Sequence, residues 1–418
     1  MQMNRWTVVL TGSVVWMAVV CVGWANGFRN PPESATGLGA LGARMTAVTD
    51  ASAWSYNPAN AAETAEPSVM ASLLLVSGRS KFEAPDGRRG QTTEPESLLP
   101  NIHAAWPLER GGTVGLAVTT PYGQSTVWHA DGPFQYVSPH RAEMTTISVA
   151  PGVAWPLNDQ LAIGATANLY WSELELRQRV PWAMQTGVPG LPDGETRLKG
   201  DGLGIGASVG LTWDATARQR VALVYKAPFS IDYEGNTRIS QVPPPLAGMV
   251  AARSDFDSTI KFPTIISAGY GLQLRDDVRL GIDVEWLDFS RFSELPLDVG
   301  INNPTGLVPP TVPQDWKDTW TLGFGVEWDC DEQWTLRTGY LFMETPIPST
   351  TMAPTLPDAD RHVVSVGVGY TWGAHQLDAA YAYNIFRDRD VRNQMQPAYS
   401  GTYELASQLV QVSYRRMF

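Results

Sequence analysis

The feature that most constrains the fold of this 418-residue chain is a strict alternation between apolar residues and small or polar ones. In Leu203–Trp213 every odd-numbered residue is apolar and the last is a tryptophan, whereas every even-numbered residue is glycine, serine or threonine. Similar alternation with an aromatic end recurs in Thr145–Trp155, Trp320–Trp328 and Val363–Trp372. A period of two places successive side chains on opposite faces of a β-strand. The chain is therefore predicted to be all-β.

The length of these strands and the pattern of their connections favour a membrane barrel over a soluble sandwich. A run of about ten residues is long enough for a tilted strand to cross a bilayer. Some connections are very short, such as Arg275–Asp277, and those between them are long and rich in proline, such as residues 295–314 and 344–360. Outer-membrane barrels combine short turns at one end with long loops at the other. Between Ser68 and Phe418 we predict about fourteen antiparallel strands, closed so that no edge is left unpaired in lipid.

The start of the chain predicts export. Residues 1–25 contain one early cation, Arg5, then an apolar run and small residues before a cut after Ala25, which is typical of a secretory signal peptide. No later apolar run reaches the roughly 18 residues that a membrane-spanning helix needs. Cys330 is then the only cysteine of the exported chain, so an internal disulfide framework is excluded and the role of this thiol stays open.

Composition narrows the choice of function. A net charge of −12 argues against nucleic acid as a partner. The 16 tryptophans and 14 tyrosines fit the aromatic girdles that membrane barrels carry at both interfaces.

No motif predicts catalysis or metal binding. Ser208 lies in Gly206–Gly210, which matches G-x-S-x-G, but a nucleophile elbow needs a sharp strand-to-helix turn, and here the alternation continues unbroken. The five histidines lack the spacing of a helical metal site. We therefore expect no enzyme activity, no cofactor and no metal. Three alternatives stay open: a lipase whose serine and histidine come from different strands, a general porin for hydrophilic solutes, and an adhesive surface protein.

Several segments, in this order along the chain, together resemble the FadL-type family of outer-membrane transporters for long-chain fatty acids and other hydrocarbons. They are residues 27–62, 119–128, 223–236, 261–274, 315–328, 332–342 and 357–370, followed by the terminal Phe418.

The resemblance implies both an architecture and a function. It implies a barrel of fourteen strands over residues 68–418, plugged by an N-terminal hatch over residues 26–67, in which Asn57, Pro58 and Ala59 resemble the family's Asn-Pro-Ala element. A periplasmic tail is the alternative for the hatch. The implied function is passive uptake of hydrophobic compounds, such as fatty acids, across the outer membrane of a Gram-negative bacterium. Outer-membrane lipid, lipopolysaccharide and the barrel-assembly machinery are the expected partners, and we expect a monomer.

The resemblance also implies a docking groove and a side exit. Two loops, Pro181–Arg197 and Thr237–Ser254, match the outer loops that form the family's first hydrophobic groove. The apolar residues expected to line it are Trp182, Met184, Val242, Leu246, Met249 and Val250.

The side exit is expected at Pro121, Tyr122 and Gly123, which interrupt the third strand. Proline donates no ladder hydrogen bond and glycine adds no side chain to hold the pleat. The resemblance implies that the strand kinks inward here and opens a gap in the wall, whereas an ordinary strand end is the alternative.

Four cations are expected to meet a ligand carboxylate in the lumen: Arg177, Lys317, Lys261 and Arg361. Arg177 and Lys317 match family positions by resemblance. Residues an even number of positions apart in a strand share a face, and on this basis Lys317, Lys261 and Arg361 share the lumen side with the inward-facing glycines.

Arg177 faces the lumen only if Leu174 and Leu176 face lipid, and this requires a bulge between Tyr170 and Ser172. Each of the four cations could instead neutralise a lumen carboxylate such as Asp283 or Glu285, so this alternative stays open.

Overall fold

The structure is a computed structural model that describes residues 27–94, 96–299 and 311–418. The predicted signal peptide, residues 1–25, lies outside these ranges. No helix in the described part of the chain is long and apolar enough to cross a membrane.

Fourteen antiparallel strands form the wall in the described residues, and each is hydrogen-bonded to the strands before and after it. They are β1 Ser68–Glu83, β2 Glu96–Pro107, β3 Thr113–Val127, β4 Arg141–Asn158, β5 Leu161–Val180, β6 Gly194–Thr216, β7 Gln219–Lys226 with Phe229–Ile239, β8 Arg253–Phe262 with Ile265–Arg275, β9 Val278–Leu287, β10 Thr319–Asp329, β11 Trp334–Met343, β12 Arg361–Trp372, β13 His375–Phe386 and β14 Gly401–Met417. β14 pairs with β1 along the whole of β1, from Ser68 to Glu83. The sheet therefore closes into a barrel, which confirms the predicted fold class.

Two strands are interrupted by proline. β7 breaks at Ala227–Pro228 and β8 breaks at Pro263–Thr264 because proline has no N–H to donate to the ladder. Both segments of β7 pair with β6 and with β8. Both segments of β8 pair with β7, and the pairing of β8 with β9 is made by Ile265–Arg275. The break in β8 reverses the face that points inward: even-numbered residues are buried before it and odd-numbered residues after it.

The outer surface of the barrel is apolar, as the alternation predicts. Leu203 is 74% exposed, Phe324 56% and Val366 57%, although all three are large hydrophobic residues. Their neighbours in sequence, such as Gly204 and Ser365, are buried on the other face. A monomeric soluble protein rarely exposes so extensive an apolar surface, whereas a barrel in lipid requires one.

Residues 27–67, here called the N-terminal segment, lie inside the barrel. Their helices are α1 Ala35–Gly39, α2 Arg44–Ala47, α3 Ala53–Tyr56 and a 3₁₀ helix, Pro58–Glu63. Inward-facing glycines of the wall make room for them. A Cβ at Gly152, for example, would lie 2.6 Å from the ring of Trp54, whose indole nitrogen donates to the carbonyl of Ala104 at 3.0 Å.

The Asn57-Pro58-Ala59 step fixes this segment to β5 and β6. Asn57 Oδ1 accepts from the amide of Ala59 at 3.1 Å, and Asn57 Nδ2 donates to Thr212 Oγ1 of β6 at 2.8 Å. Pro58 lies against Gly164 of β5, where any larger residue would clash with it.

The connections differ between the two ends of the barrel. At one end the strands are joined by short turns such as residues 276–277 and 373–374. At the other end, called the outer end, long loops such as residues 128–140, 240–252 and 344–360 join them. This asymmetry matches the predicted pattern of turns and loops.

Candidate functional site

A cavity of about 570 Å³, here called the outer cavity, lies beneath the long loops at the outer end of the barrel. Its lining is mainly apolar and includes Leu174, Leu176, Leu198, Ile260, Trp316 and Tyr399. Phe28 of the N-terminal segment also lines it. Both the volume and the apolar lining are typical of a site for a small hydrophobic ligand.

The prediction that Leu174 and Leu176 face lipid is wrong, because both line the outer cavity. β5 pairs with β6 from Leu161 to Val180 without any shift of register, so the predicted bulge at Tyr170–Ser172 is absent from this pairing. The even-numbered residues of β5 face inward throughout, and Tyr170, Ser172 and Leu174 are all buried. In the outer half of β5 the inward face is apolar because it lines the outer cavity, and the outward face carries the charged residues. In the other half of the strand the outward face is the apolar one.

Arg177 is consequently not a lumen residue. It lies on the outward face of β5 and pairs with Glu175 at 2.5 Å, and Glu175 also binds Arg197 of β6 at 2.8 Å. The prediction that Arg177 meets a ligand in the lumen is wrong.

The alternation also predicted the wrong face for two further cations, Lys317 and Lys261. The side chain of Lys317 is exposed, because β10 begins only at Thr319 and the strand phase does not extend back to residue 317. Its neighbour Trp316 lines the outer cavity instead. Lys261 is exposed on the outward face, because the break at Pro263–Thr264 reverses the phase on which its placement rested.

Arg361 does face the lumen and is 2% exposed. Its Nη1 lies 3.4 Å from Asp358 of the preceding loop, and its guanidinium lies 5.5 Å from the ring centre of Phe386.

The residues expected to form the docking groove fall into two groups. Trp182 and Val250 are buried, and Val242 and Leu246 pack with them into one cluster with Val180. The two loops thus contact each other, and their apolar residues form a closed cluster.

Met184 and Met249 lie outside that cluster, 75% and 65% exposed. None of the six groove residues is in the lining of the outer cavity. The docking groove stays a prediction.

An aromatic cluster lies beside β3 and reaches the outer cavity through Phe28. Tyr122 packs against Phe262 with ring centres 4.9 Å apart, and Phe28 against Phe262 at 5.0 Å. Tyr170 stacks on Phe229 at 3.9 Å with nearly parallel rings. All five rings are buried in the lumen.

β3 parts from β2 at the predicted interruption but stays paired with β4 up to Val127. Its pairing with β2 ends at Val118 and Ile102, and its pairing with β4 shifts register between Thr119 and Tyr122. Beyond the last pair with β2, the backbone of β3 also binds the N-terminal segment. Asn30 N donates to the carbonyl of Pro121 at 2.9 Å, and Gly123 N donates to the carbonyl of Phe28 at 2.9 Å.

Among the described residues, the ladder between β2 and β3 is therefore open over Ser97–Asn101, here called the window. One side chain crosses the end of the window nearer the short turns, where Asn101 Oδ1 accepts from the amide of Thr120 at 2.9 Å. The end nearer the outer loops is closed by the hydrogen bond from Thr93 N to the carbonyl of Val127 at 2.8 Å.

The lumen carboxylate Glu285 is neutralised by the N-terminal segment. It lies 2.9 Å from Arg29 and 3.3 Å from Arg44. Burial alone would lower the pKa of the Arg29 guanidinium, but Glu285 raises that pKa above its ordinary value. The sequence offered Glu285 only as an alternative partner of the four predicted cations, and it did not identify Arg29 or Arg44, because nothing local links residues so far apart in the chain.

The family model for outer membrane protein transport proteins (OMPP1/FadL/TodX) matches residues 16–418. The chain is 22% identical over 413 residues to a long-chain fatty acid transport protein of Escherichia coli O6:H1, covering 90% of this chain and 91% of that protein. It is 26% identical over 433 residues to a putative outer membrane protein of Neisseria meningitidis serogroup B, covering 92% and 91%.

Solved structures share the fold. A FadL homologue of Pseudomonas aeruginosa superposes with a TM-score of 0.81 at 20% identity, covering 94% of this chain and 100% of that one. The Pseudomonas putida toluene transporter TodX superposes with a TM-score of 0.72 at 16% identity, covering 94% and 100%. With the family model spanning nearly the whole sequence, the chain belongs to the OMPP1/FadL/TodX family of outer membrane transport proteins.

Proposed function

We propose that this protein takes up hydrophobic compounds, fatty acids or related hydrocarbons, by passive diffusion through the outer cavity and out of the barrel wall through the window. The observation that carries the proposal is the position of the window, which opens beside the aromatic cluster that bounds the cavity. Relatives described as fatty acid and toluene transporters support the class of substrate.

The first step is docking at the outer loops. Met184 and Met249 present exposed, flexible apolar side chains at the outer end. A molecule captured there then enters the outer cavity, because burial of its apolar surface is favourable by roughly 25 cal/mol per Å².

The N-terminal segment acts as a hatch in this proposal. A barrel of this strand number is too wide for its wall side chains alone to fill. The burial of Leu38, Trp54 and Asn57 in the lumen supports a plug rather than a periplasmic tail.

The second step is release into the membrane. Phe28 stands between the outer cavity and β3, and the backbone around it is bonded to the kink at Pro121 and Gly123. A shift of residues 28–30 would connect the cavity to the window, so the ligand would enter the bilayer without crossing water. Removal of substrate inside the cell drives net uptake. Outer-membrane lipid, lipopolysaccharide and the assembly machinery stay expected partners of a monomer.

The proposal is tested by restoring the strand. Pro121→Val together with Gly123→Val gives β3 a donor and a side chain at the kink, and we expect uptake to fall at least tenfold. Uptake of a labelled fatty acid and of toluene is measured in cells that lack their own transporter. Retained heat-shifted mobility on gels verifies folding.

A matched control introduces two valines away from the window, the outer cavity and the docking loops. Pro156→Val together with Asp159→Val alters two exposed residues at the short-turn end of the barrel. The control should keep full uptake. Undiminished uptake in the correctly folded kink variant would refute release through the wall.

A further inference from the structure

Four arginines, here called the arginine row, lie side by side on the outward face of β5–β8 at the outer end of the barrel. The strand pairing places each opposite the next, in the order Arg177, Arg197, Arg238 and Arg253. Leu198 and Thr237, which are neighbours of two of them in sequence, are buried on the inward face. Since adjacent strands are about 4.8 Å apart, the row extends over roughly 14 Å of the outer surface.

The positive charge of the arginine row exceeds the negative charge of its partners. Glu175 binds two of the four arginines, since its carboxylate lies 2.5 Å from Arg177 and 2.8 Å from Arg197. Arg238 and Arg253 are exposed, and neither has a carboxylate of the described residues within 4 Å. Four guanidinium groups thus share one carboxylate.

Other polar groups nearby do not supply the missing charge. Arg238 Nε donates to the uncharged side chain of Asn236 at 3.0 Å. The next acids on this face, Glu195 and Asp255, lie two positions from the row along β6 and β8, and in the described chain neither forms a salt bridge with it. Like charges directly opposite each other on neighbouring strands destabilise a sheet. An anion bound to the row would offset this repulsion.

The arginine row is too far from the hydrocarbon for a phospholipid headgroup to reach it. Leu203, which is 74% exposed, is the outermost apolar residue on the outward face of β6, and Arg197 lies six residues further out. Six residues extend about 20 Å along a strand and, at the tilt of a membrane barrel, about 15 Å along the membrane normal. Phospholipid headgroups extend only roughly 5–8 Å beyond the hydrocarbon.

A row of carboxylates lies between the arginine row and the hydrocarbon. Its members, paired in register on the same four strands, are Glu173, Asp201, Glu234 and Asp257. These carboxylates repel an anionic phospholipid, whereas an anion on a longer headgroup extends past them to the arginines. Guanidinium groups bind phosphate and carboxylate through paired hydrogen bonds.

We infer that the arginine row binds the phosphate and carboxylate groups of the core sugars of lipopolysaccharide. These groups belong to a headgroup large enough to extend beyond the level of phospholipid phosphates. The phosphates of its lipid part lie at the level of the carboxylate row, where divalent cations coordinate both phosphate and carboxylate oxygens. The inference rests on membership of an outer-membrane family and is independent of the proposed route of uptake.

The test measures binding of fluorescently labelled lipopolysaccharide with a phosphorylated core to the purified full-length protein in detergent with EDTA. Arg238→Gln together with Arg253→Gln should weaken binding about tenfold, because charge-assisted contacts are lost. Both side chains are exposed, so the variant should keep the heat-shifted mobility of a folded barrel. Arg238→Lys together with Arg253→Lys keeps both charges and should retain most of the affinity.

A matched control removes the same charge at the opposite end of the barrel. Arg218→Gln together with Arg275→Gln alters two exposed arginines near the short turns and should bind as tightly as the wild type. An equal loss in the two glutamine variants would overturn the arginine row as the site. Undiminished binding by the Arg238 and Arg253 variant would do the same, since the lipid would then be held elsewhere.

Competition identifies the part of the lipid that is recognised. Unlabelled lipopolysaccharide whose core lacks phosphate should compete less well than the phosphorylated form. Equal competition by phosphatidylglycerol would show a phospholipid site, and displacement by inorganic phosphate at equal concentration would show a site for free anions. Either result would overturn the assignment to core sugars.

Discussion

Single residues of the lumen connect the N-terminal segment to the barrel wall. Glu285 of β9 is 1% exposed and binds both Arg29 and Arg44 of the segment. Two strands further along the wall, Arg337 of β11 pairs with Glu327 at 2.6 Å and with Asp378 at 2.8 Å. Buried charges of this kind are tolerated only when a partner is present.

Glu285→Gln should therefore destabilise the protein. It leaves the cations of Arg29 and Arg44 buried without their counter-charge, which costs about 3 kcal/mol in other proteins. We expect a lower temperature for the heat-induced mobility shift on gels.

The control for this change is Glu234→Gln, which alters an exposed glutamate on the outward face of β7. A surface substitution of this kind should change stability by no more than about 0.5 kcal/mol. Equal transition temperatures for the two variants would contradict the role of Glu285.

The sequence predicted which residues of a strand share a face but not which distant residues meet them. The alternation placed Glu285 and Arg361 inside correctly. It placed Lys261 inside wrongly, because a phase cannot be carried across the break at Pro263–Thr264. The partners Arg29 and Arg44 lie in another part of the chain, and only the folded lumen brings them to Glu285.

Among the strands, β5 shows how a regular period can be misinterpreted. The alternation is continuous from Leu161 to Val180, but its polarity reverses along the strand. The sequence offered a bulge as the explanation, whereas the strand passes from the lipid-facing wall to the wall of the outer cavity. A strand whose inward face passes from a polar lumen to an apolar cavity and a strand with a bulge show the same order of apolar and polar residues. The sequence alone could therefore not distinguish these two explanations.

Leu174→Glu tests this assignment of the outer half of β5. A charge introduced at this cavity-lining position should weaken binding of a neutral hydrophobic ligand such as dodecanol at least tenfold, because the ligand loses an apolar contact and meets a charge. Arg177→Ala, three residues further on the outward face, should change that affinity less than twofold. Calorimetry on the purified protein measures both, and a reversed order of effects would contradict the phase of β5.

At the scale of the whole molecule, the barrel is closed and the N-terminal segment packs against the inner side of its wall. Membership of a family of outer membrane transport proteins makes the chain a transport channel rather than an enzyme. The fold class was predictable because a period of two recurs over nearly the whole chain. The interior was less predictable, since the short helices of residues 35–63 carry no strong period of their own.

Planar bilayers should reveal the plug as an absence of large steady currents for the intact protein. A variant that lacks residues 27–67 should conduct strongly, because a barrel of this width leaves an aqueous pore when it is empty. Large open-channel currents from the intact protein would favour the general porin.

The glycines on the inner wall have a consequence for the ancestry of the two parts. Gly152 and Gly164 leave room for Trp54 and Pro58 of this chain in particular, so the inner wall and the N-terminal segment are complementary in shape. A larger side chain in the N-terminal segment requires a glycine opposite it in the wall, and a smaller one leaves a cavity. Grafting the first forty residues of a mature relative into this barrel would thus demand compensating exchanges in the wall, and the two regions are expected to have diverged in step.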